Sequence, residues 1–281
     1  MSVRALDQGA APLPEGEPAR AAAPALLEAE QVGFELDGRT ILQPLQLAVR
    51  AGEMVGVIGP NGSGKSTLGR ILARQAAPSC GELWVSGRLA RTIAARQFAR
   101  MVAYLPQQIP PAVGLTVAEL VALGRYPWQG VFGPPGKADE DSVRDSMAIT
   151  SVDGLAQRLV DTLSGGERQR AWLAMLVAQQ ADVLVLDEPT SALDIRHQVE
   201  VLALLRRLCR QRGLGVVAIL HDVYMAGRYC DELVALRQGR MVAAGPAEQI
   251  LQPAVLKSVY DIDMDVMIHG PSGDRVVCLG R

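Results

Sequence analysis

Apolar residues in this chain gather into short runs set between turn residues, and the runs predict an α/β fold around a mainly parallel sheet. Residues 54–58, 102–105, 183–186 and 216–220 are apolar almost without interruption, the pattern of strands buried on both faces. Two looser runs at 26–32 and 41–49, joined across Asp37-Gly38, predict an antiparallel β piece ahead of that sheet. Elsewhere the period changes. Ile195, Val199, Leu202, Leu205 and Cys209 recur at helical spacing, with Arg206, Arg207 and Arg210 on the opposite face and Gly213 as the stop. Further helices are expected at 65–74, at 116–125 and from 139 to about 160. Runs at 233–236 and 241–244 around Gln238-Gly239 predict a late hairpin. Strand–helix–strand alternation of this kind makes a parallel sheet with helices on its faces.

The same patterning divides the chain. Residues 1–25 are rich in Ala, Pro, Gly and Glu without periodicity and are expected to be a disordered leader. One domain spans 26–260, with an inserted helical subdomain at about 108–180. Residues 261–281 form a C-terminal extension with two short strand-like runs and no motif. No apolar run reaches the roughly 18 residues a bilayer span needs, and the first 25 residues lack the apolar core of a signal peptide. The protein is therefore expected to be soluble and cytoplasmic. Balanced charge, 28 Lys+Arg against 30 Asp+Glu, gives no electrostatic case for a nucleic-acid partner. Cys80, Cys209, Cys230 and Cys278 are scattered and read as buried thiols, not as a disulfide frame or zinc site.

Two glycine-rich segments carry the candidate chemistry. Gly59-Pro60-Asn61-Gly62-Ser63-Gly64-Lys65-Ser66-Thr67 follows a predicted strand and opens a predicted helix, the context in which such a loop cradles phosphates with backbone N–H groups. Lys65 would bridge the β- and γ-phosphates, Ser66 would ligate magnesium and Thr67 would hold the α-phosphate side. Only Lys65, Lys137 and Lys257 among the basic residues are lysines, so a chain that otherwise uses arginine keeps the compact ammonium here. Asp187 and Glu188 end a buried strand. They read either as an acidic strand terminus or, beside a phosphate loop, as a magnesium holder and a general base. His221 ends the next buried strand and reaches the same sheet edge, where ligands of open α/β sheets bind. The second segment, Leu163-Ser164-Gly165-Gly166-Glu167, is also built for phosphate. One nucleotide has one triphosphate, which the first loop can wrap alone. The second loop must then serve a nucleotide held by another copy of the chain, and this predicts a dimer that closes on ATP.

With these pieces in order, residues 26–260 resemble the ATP-binding cassette (ABC) ATPases. The motifs of that family are Walker A at 59–67, the Q-loop Gln107, the signature at 163–167 followed by Arg168-Gln169-Arg170, Walker B at 183–188, the D-loop Ser191-Ala192-Leu193-Asp194 and the switch His221. The resemblance implies a P-loop ATPase using ATP and Mg2+ and working as a head-to-tail dimer. In it Ser164, Gly165 and Gly166 cover the γ-phosphate held by the other copy, and Asp194 crosses the interface. Glu188, His221 and Gln107 would be catalytic, with Ser66, Gln107 and Asp187 around the metal. The family places an aromatic residue over adenine; alignment puts Leu36 there, which offers apolar contact without stacking.

Further residues resemble one branch of the family. Gln107-Gln108-Ile109-Pro110-Pro111 and Leu123-Gly124-Arg125-Tyr126-Pro127-Trp128 are similar to importers of iron–siderophore complexes and vitamin B12. Residues 168–179 and 191–198 are most similar to the ferric hydroxamate uptake type. That branch implies transmembrane permease subunits, a periplasmic or surface binding protein, and a peripheral position on the cytoplasmic face of the inner membrane. Importers of haem, vitamin B12 or other siderophores are the alternatives within it. Tyr126, Trp128 and Phe132, on a Pro- and Gly-containing loop, read either as docking anchors or as packing within the helical subdomain. A soluble mechanical ATPase would need a long coiled coil between Ser66 and Ser164, or a second cassette, and the chain has neither. A non-hydrolysing regulatory module would be expected to lack Glu188 or His221.

Overall fold

The computed structural model describes residues 24–129, 136–191, 193–270 and 274–280. Strands β1 (Ala25–Leu36) and β2 (Arg39–Arg50) pair antiparallel through the Asp37-Gly38 turn, so the first strand begins inside the expected leader; residues 1–23 lie outside the described ones. After β3 (Met54–Ile58) and α1 (Lys65–Leu72), strand β4 (Cys80–Val85) returns to pair with β1, and β5 (Arg88–Leu89) extends that antiparallel sheet. Helix α2 (Ala95–Ala99) and β6 (Val102–Leu105) lead into the inserted helices α3 (Val117–Leu123), α4 (Lys137–Ile149) and α5 (Gly165–Gln179). The chain then runs through β7 (Val183–Asp187), α6 (Ile195–Arg212), β8 (Gly215–Ile219) and α7 (Val223–Tyr229). A hairpin of β9 (Glu232–Arg237) and β10 (Arg240–Pro246) follows, then α8 (Ala247–Ile250) and α9 (Pro253–Tyr260). A second hairpin of β11 (Met264–His269) and β12 (Asp274–Leu279) ends the described chain and packs on α7 and α9.

The larger sheet runs β10–β9–β3–β8–β7–β6. Its neighbours from β9 to β6 are parallel, and only β10 runs against them. Alternate side chains explain the uninterrupted apolar runs. Val55, Val57, Val183, Val185, Val217 and Ile219 face α1 and the antiparallel sheet, while Met54, Leu184, Leu186, Val216 and Ala218 face the layer of α5, α6 and α7. Both faces are dry, so no polar residue is tolerated until a strand ends.

Three expectations change. The helix expected from 139 to about 160 stops at Ile149, and Ser151 takes a left-handed backbone (φ 57°). The following stretch is drawn off because the carbonyls of Ala156 and Arg158 accept the N–H groups of Ala118 and Val117, which the start of α3 would otherwise leave unpaired. Ile195 and Val199, expected on the buried face of α6, are exposed, since the first turn of that helix projects beyond the core. Cys80 is exposed at the end of β4, whereas Cys209 and Cys230 are buried; all four thiols are free. Among the described residues no helix is long and apolar enough to cross a membrane.

Candidate nucleotide site

Four adjacent parallel strands, β3, β8, β7 and β6, deliver Gly59, His221, Glu188 and Gln107 to one edge of the sheet. They meet around a cavity of about 350 Å3 lined by Ile41, residues 61–67, Gln107, Glu188 and His221. The phosphate loop is seated from below. A Cβ on Gly59 would fall 2.0 Å from the Leu236 carbonyl oxygen, so only glycine lets the loop lie against β9. The Gly239 N–H donates to Ser63 O, and Gln43 N–H donates to Gly239 O, which ties the loop to both sheets. Lys65 is buried, and its ammonium donates to the Gly59 and Pro60 carbonyls at 2.8 and 2.9 Å. Burial pushes the Lys65 pKa down, against the pull of Glu188 and Asp187. The buried Ser63 hydroxyl finds no partner among the protein's own groups, an orphan donor aimed into a loop shaped for anions.

Asp187 is buried at the end of β7 and accepts a hydrogen bond from the Ser66 hydroxyl at 3.2 Å. Burial raises its pKa, Ser66 opposes the rise and the Glu188 charge adds to it. A carboxylate in that position gains from a cation beside it. Two hard oxygens next to a phosphate loop fit magnesium, which keeps water and substrate oxygens in its shell. Among the described residues no group of three acidic, histidine or cysteine side chains forms a metal cage. Glu188 sits one residue further on, in a left-handed conformation (φ 52°) that is costly for a residue with a side chain. Its N–H donates to Ile219 O, and its own carbonyl accepts from the Ser191 N–H and hydroxyl. Gln107 Nε2 donates to one oxygen of its carboxylate at 2.7 Å, and His221 Nε2 lies 2.5 Å from the other. Gln107 therefore engages Glu188, and not the Ser66–Asp187 pair beside which it was expected.

The second glycine-rich segment is absent from this cavity. Ser164 caps α5 in a reciprocal box with Glu167, its hydroxyl accepting from the Glu167 N–H while the carboxylate accepts from Ser164 N–H. Gly165 lines a separate cavity of about 420 Å3 with Gln107, Arg168, Trp172, Glu188, Ser191 and Leu193. Asp194 caps α6 and is exposed; the His197 N–H holds its carboxyl below the usual range. Leu36 is also outside the phosphate cavity, exposed at the end of β1, and Ile41 occupies the wall instead. Ile41, in the cavity wall, was not legible as a site residue because an apolar strand residue carries no chemical signal.

The aromatic loop divides. Tyr126 is exposed, but Trp128 donates from Nε1 to Gln179 O and lies under Arg100 and Arg125, 4.6 and 5.2 Å from its ring centroid. Phe132 lies outside the described residues.

The family model described as ABC transporter matches residues 42–191. The ferric enterobactin transport ATP-binding protein of Escherichia coli (strain K12) is 40% identical over 92% of this chain and 95% of its own length. The hemin import ATP-binding protein of Streptomyces coelicolor is 41% identical over 94% and 93%. The iron(3+)-hydroxamate import ATP-binding protein of Bacillus subtilis is 36% identical over 90% and 94%. A metal-chelate type ABC transporter solved in an inward-facing conformation superposes with a TM-score of 0.80 at 25% identity, over 92% of this chain and 97% of that one. A family match over more than half of the chain, and relatives this similar along nearly all of it, establish that this chain belongs to the ABC transporter family as an ATP-binding and ATP-hydrolysing member.

Proposed function

We propose that the chain is the nucleotide-binding subunit of an ABC importer, in which two copies clamp two ATP molecules head to tail and drive uptake of an iron chelate through a membrane permease. One observation carries the two-copy arrangement. Residues 61–67, Gln107, Glu188 and His221 line one cavity, while Ser164, Gly165, Gly166 and Asp194 stand outside it at the starts of two other helices. A second copy supplies what the first lacks.

In this reading the N–H groups of 61–67 and the Lys65 ammonium bind the phosphates, with the ammonium exchanging the Gly59 and Pro60 carbonyls for phosphate oxygens. Ser66 and Asp187 would hold magnesium, which neutralises charge on the β- and γ-phosphates when bound. Glu188 orients a water and takes its proton as the water oxygen bonds to the γ-phosphorus and the bond to ADP breaks. Gln107 and His221 each engage one Glu188 oxygen, and exchange of the Gln107 contact for that water turns the carboxylate toward the nucleotide. His221 stays to fix the carboxylate and the transferred group, and Gln107, at the entry to the helical subdomain, reports the exchange. Leu36 would touch the base only by folding over the open mouth of the site.

Relatives named for enterobactin, hydroxamate and hemin support the iron-chelate class. Within that class we read the cargo as a ferric hydroxamate, from residues 168–179 and 191–198 and not from overall similarity. The exposed Tyr126 supports a docking surface for the permease on the inserted helices, with the protein peripheral to the membrane and a binding protein delivering cargo from outside. Labelled-iron uptake in cells lacking this gene tests the whole reading. Wild type should restore ferric hydroxamate uptake, and Glu188→Gln should restore none while still binding ATP. Uptake of haem or another siderophore alone would discard the hydroxamate cargo; turnover by Glu188→Gln would discard the base.

A further inference from the structure

The first turn of α6 fastens the D-loop to the signature helix within one chain, and a single side chain makes the junction. His197 Nδ1 lies 2.8 Å from Asp194 Oδ1, the same oxygen that accepts the His197 N–H at 2.9 Å. The opposite side of its ring abuts the signature. A Cβ on Gly166 would sit 2.7 Å from His197 Cδ2 and 3.0 Å from Nε2, well inside van der Waals contact. A side chain at 166 would have to push the imidazole aside. Gln198 completes the attachment, its amide donating to the Thr190 and Leu193 carbonyls at 3.3 and 3.0 Å. One turn further along, Arg170 of α5 reaches Glu200 of α6 at 3.5 Å.

We infer that His197 is a positioning residue for hydrolysis, locking Asp194 and Ser164–Gly166 into one rigid surface that a second copy meets as a unit. The inference rests on the two-copy reading above. Asp194 and Gly166 come from different helices, and the ring touches both. Asp194 is exposed, so the loss of its side-chain freedom falls on dimer closure, whereas Gly166 is buried beneath the ring. A ring wedged between them removes that freedom beforehand. The phosphate loop that binds nucleotide in the monomer takes no part in the wedge, since His197 does not line the phosphate cavity.

The test uses the Glu188→Gln protein, in which closed dimers should accumulate, with and without His197→Ala. Sedimentation against ATP concentration reads closure; a fluorescent ATP analogue at protein concentrations too low for dimers reads the monomer site. His197→Ala should weaken ATP-driven dimerisation about tenfold to a hundredfold, with monomer affinity changed less than about twofold and the melting temperature little moved. Adding Gly166→Ala gives a second readout. The methyl should harm closure less in the His197→Ala background than beside the native ring, a non-additivity that independent sites do not show. Unchanged dimerisation overturns the inference, and so does a parallel fall in monomer affinity or additive behaviour of the pair. A Glu188→Gln parent that stays monomeric with ATP overturns the two-copy reading itself, which the parent control shows separately.

Discussion

Arg125→Ala should unfold this protein at markedly lower denaturant or temperature while leaving the phosphate cavity intact. Arg125 is buried at the end of α3, and its guanidinium joins three helices. Nε donates to Asp139 of α4 at 2.8 Å, while Nη1 donates to the Ala178 carbonyl of α5 at 2.7 Å and to Gln180 Oε1 at 2.8 Å. The residue also lies over the Trp128 ring, as Arg100 does. Removing the side chain leaves the partly buried Asp139 carboxylate with only the Gly136 N–H and the Ala178 carbonyl with only the long Ser142 contact, and empties the space beside Trp128. Hydrogen bonds to charged groups contribute roughly 1.5–3 kcal/mol each. The three share one group and are not additive, so the estimate for breaking a buried pair, about 3–5 kcal/mol, is the one to use. For a chain of this size that corresponds to roughly 10 °C in melting temperature. Urea unfolding followed by circular dichroism, with ATP-analogue affinity measured on the folded protein, checks both halves. A loss below about 1 kcal/mol, or an affinity that falls with it, would refute the claim that Arg125 is the pin of the helical layer.

Two other outcomes follow from the same geometry. Trp128→Ala should cost about 2–3 kcal/mol of stability through its lost hydrogen bond and cation contacts, whereas Tyr126→Ala should leave the melting temperature unchanged and lower recovery with permease-containing membranes; equal behaviour of the two in both assays would merge their roles. Asp231 accepts from Arg206, Arg210 and the Met54 N–H. Burial pushes its carboxyl up, but the hydrogen bonds and charges of Arg206, with Met54 and Arg210, outweigh it and hold the pKa low. A depressed carboxyl stabilises the fold above its unfolded value of about 3.9 and loses that contribution as pH falls through the lower folded value. Asp231→Asn should therefore cost about 1 kcal/mol near pH 7 and nothing at the acid end, so parallel pH–stability curves for the two proteins would contradict it.

What could be read from the amino acids followed from how sharply burial constrains them. Strands 54–58 and 102–105 came out to the residue because their side chains are almost all buried and a glycine or proline marks the end. Strand Cys80–Val85 escaped notice: it pairs at the antiparallel sheet, where exposed Cys80 and Gly81 precede only two fully buried positions. Helices α7 and α9 are two turns long, too short for a period to declare itself. The overrun of α4 came from a hydrogen-bond demand set by α3, which no local pattern carries. At the site, residues on the cis side were legible because phosphate chemistry restricts their types. Ile41 and His197 act through contact alone, and contact between distant segments leaves no signature in either one.

The row of strand ends that builds the site also divides the molecule into a side that resists editing and a side that accepts it. Gly59, His221, Glu188 and Gln107 follow four neighbouring strands spaced about 4.8 Å apart. An extra residue inserted in any of these strands would slide its terminus by about 3.3 Å and turn the next side chain to the wrong face. The turns that enter the same strands, at Glu53, Met101, Asp182 and Leu214, lie at the opposite edge. Gly213 there has open space around it. Peptide tags, reporter domains or tethers grafted at that back edge lengthen the chain without moving the front, so the ATPase can be labelled from behind while its chemistry is watched.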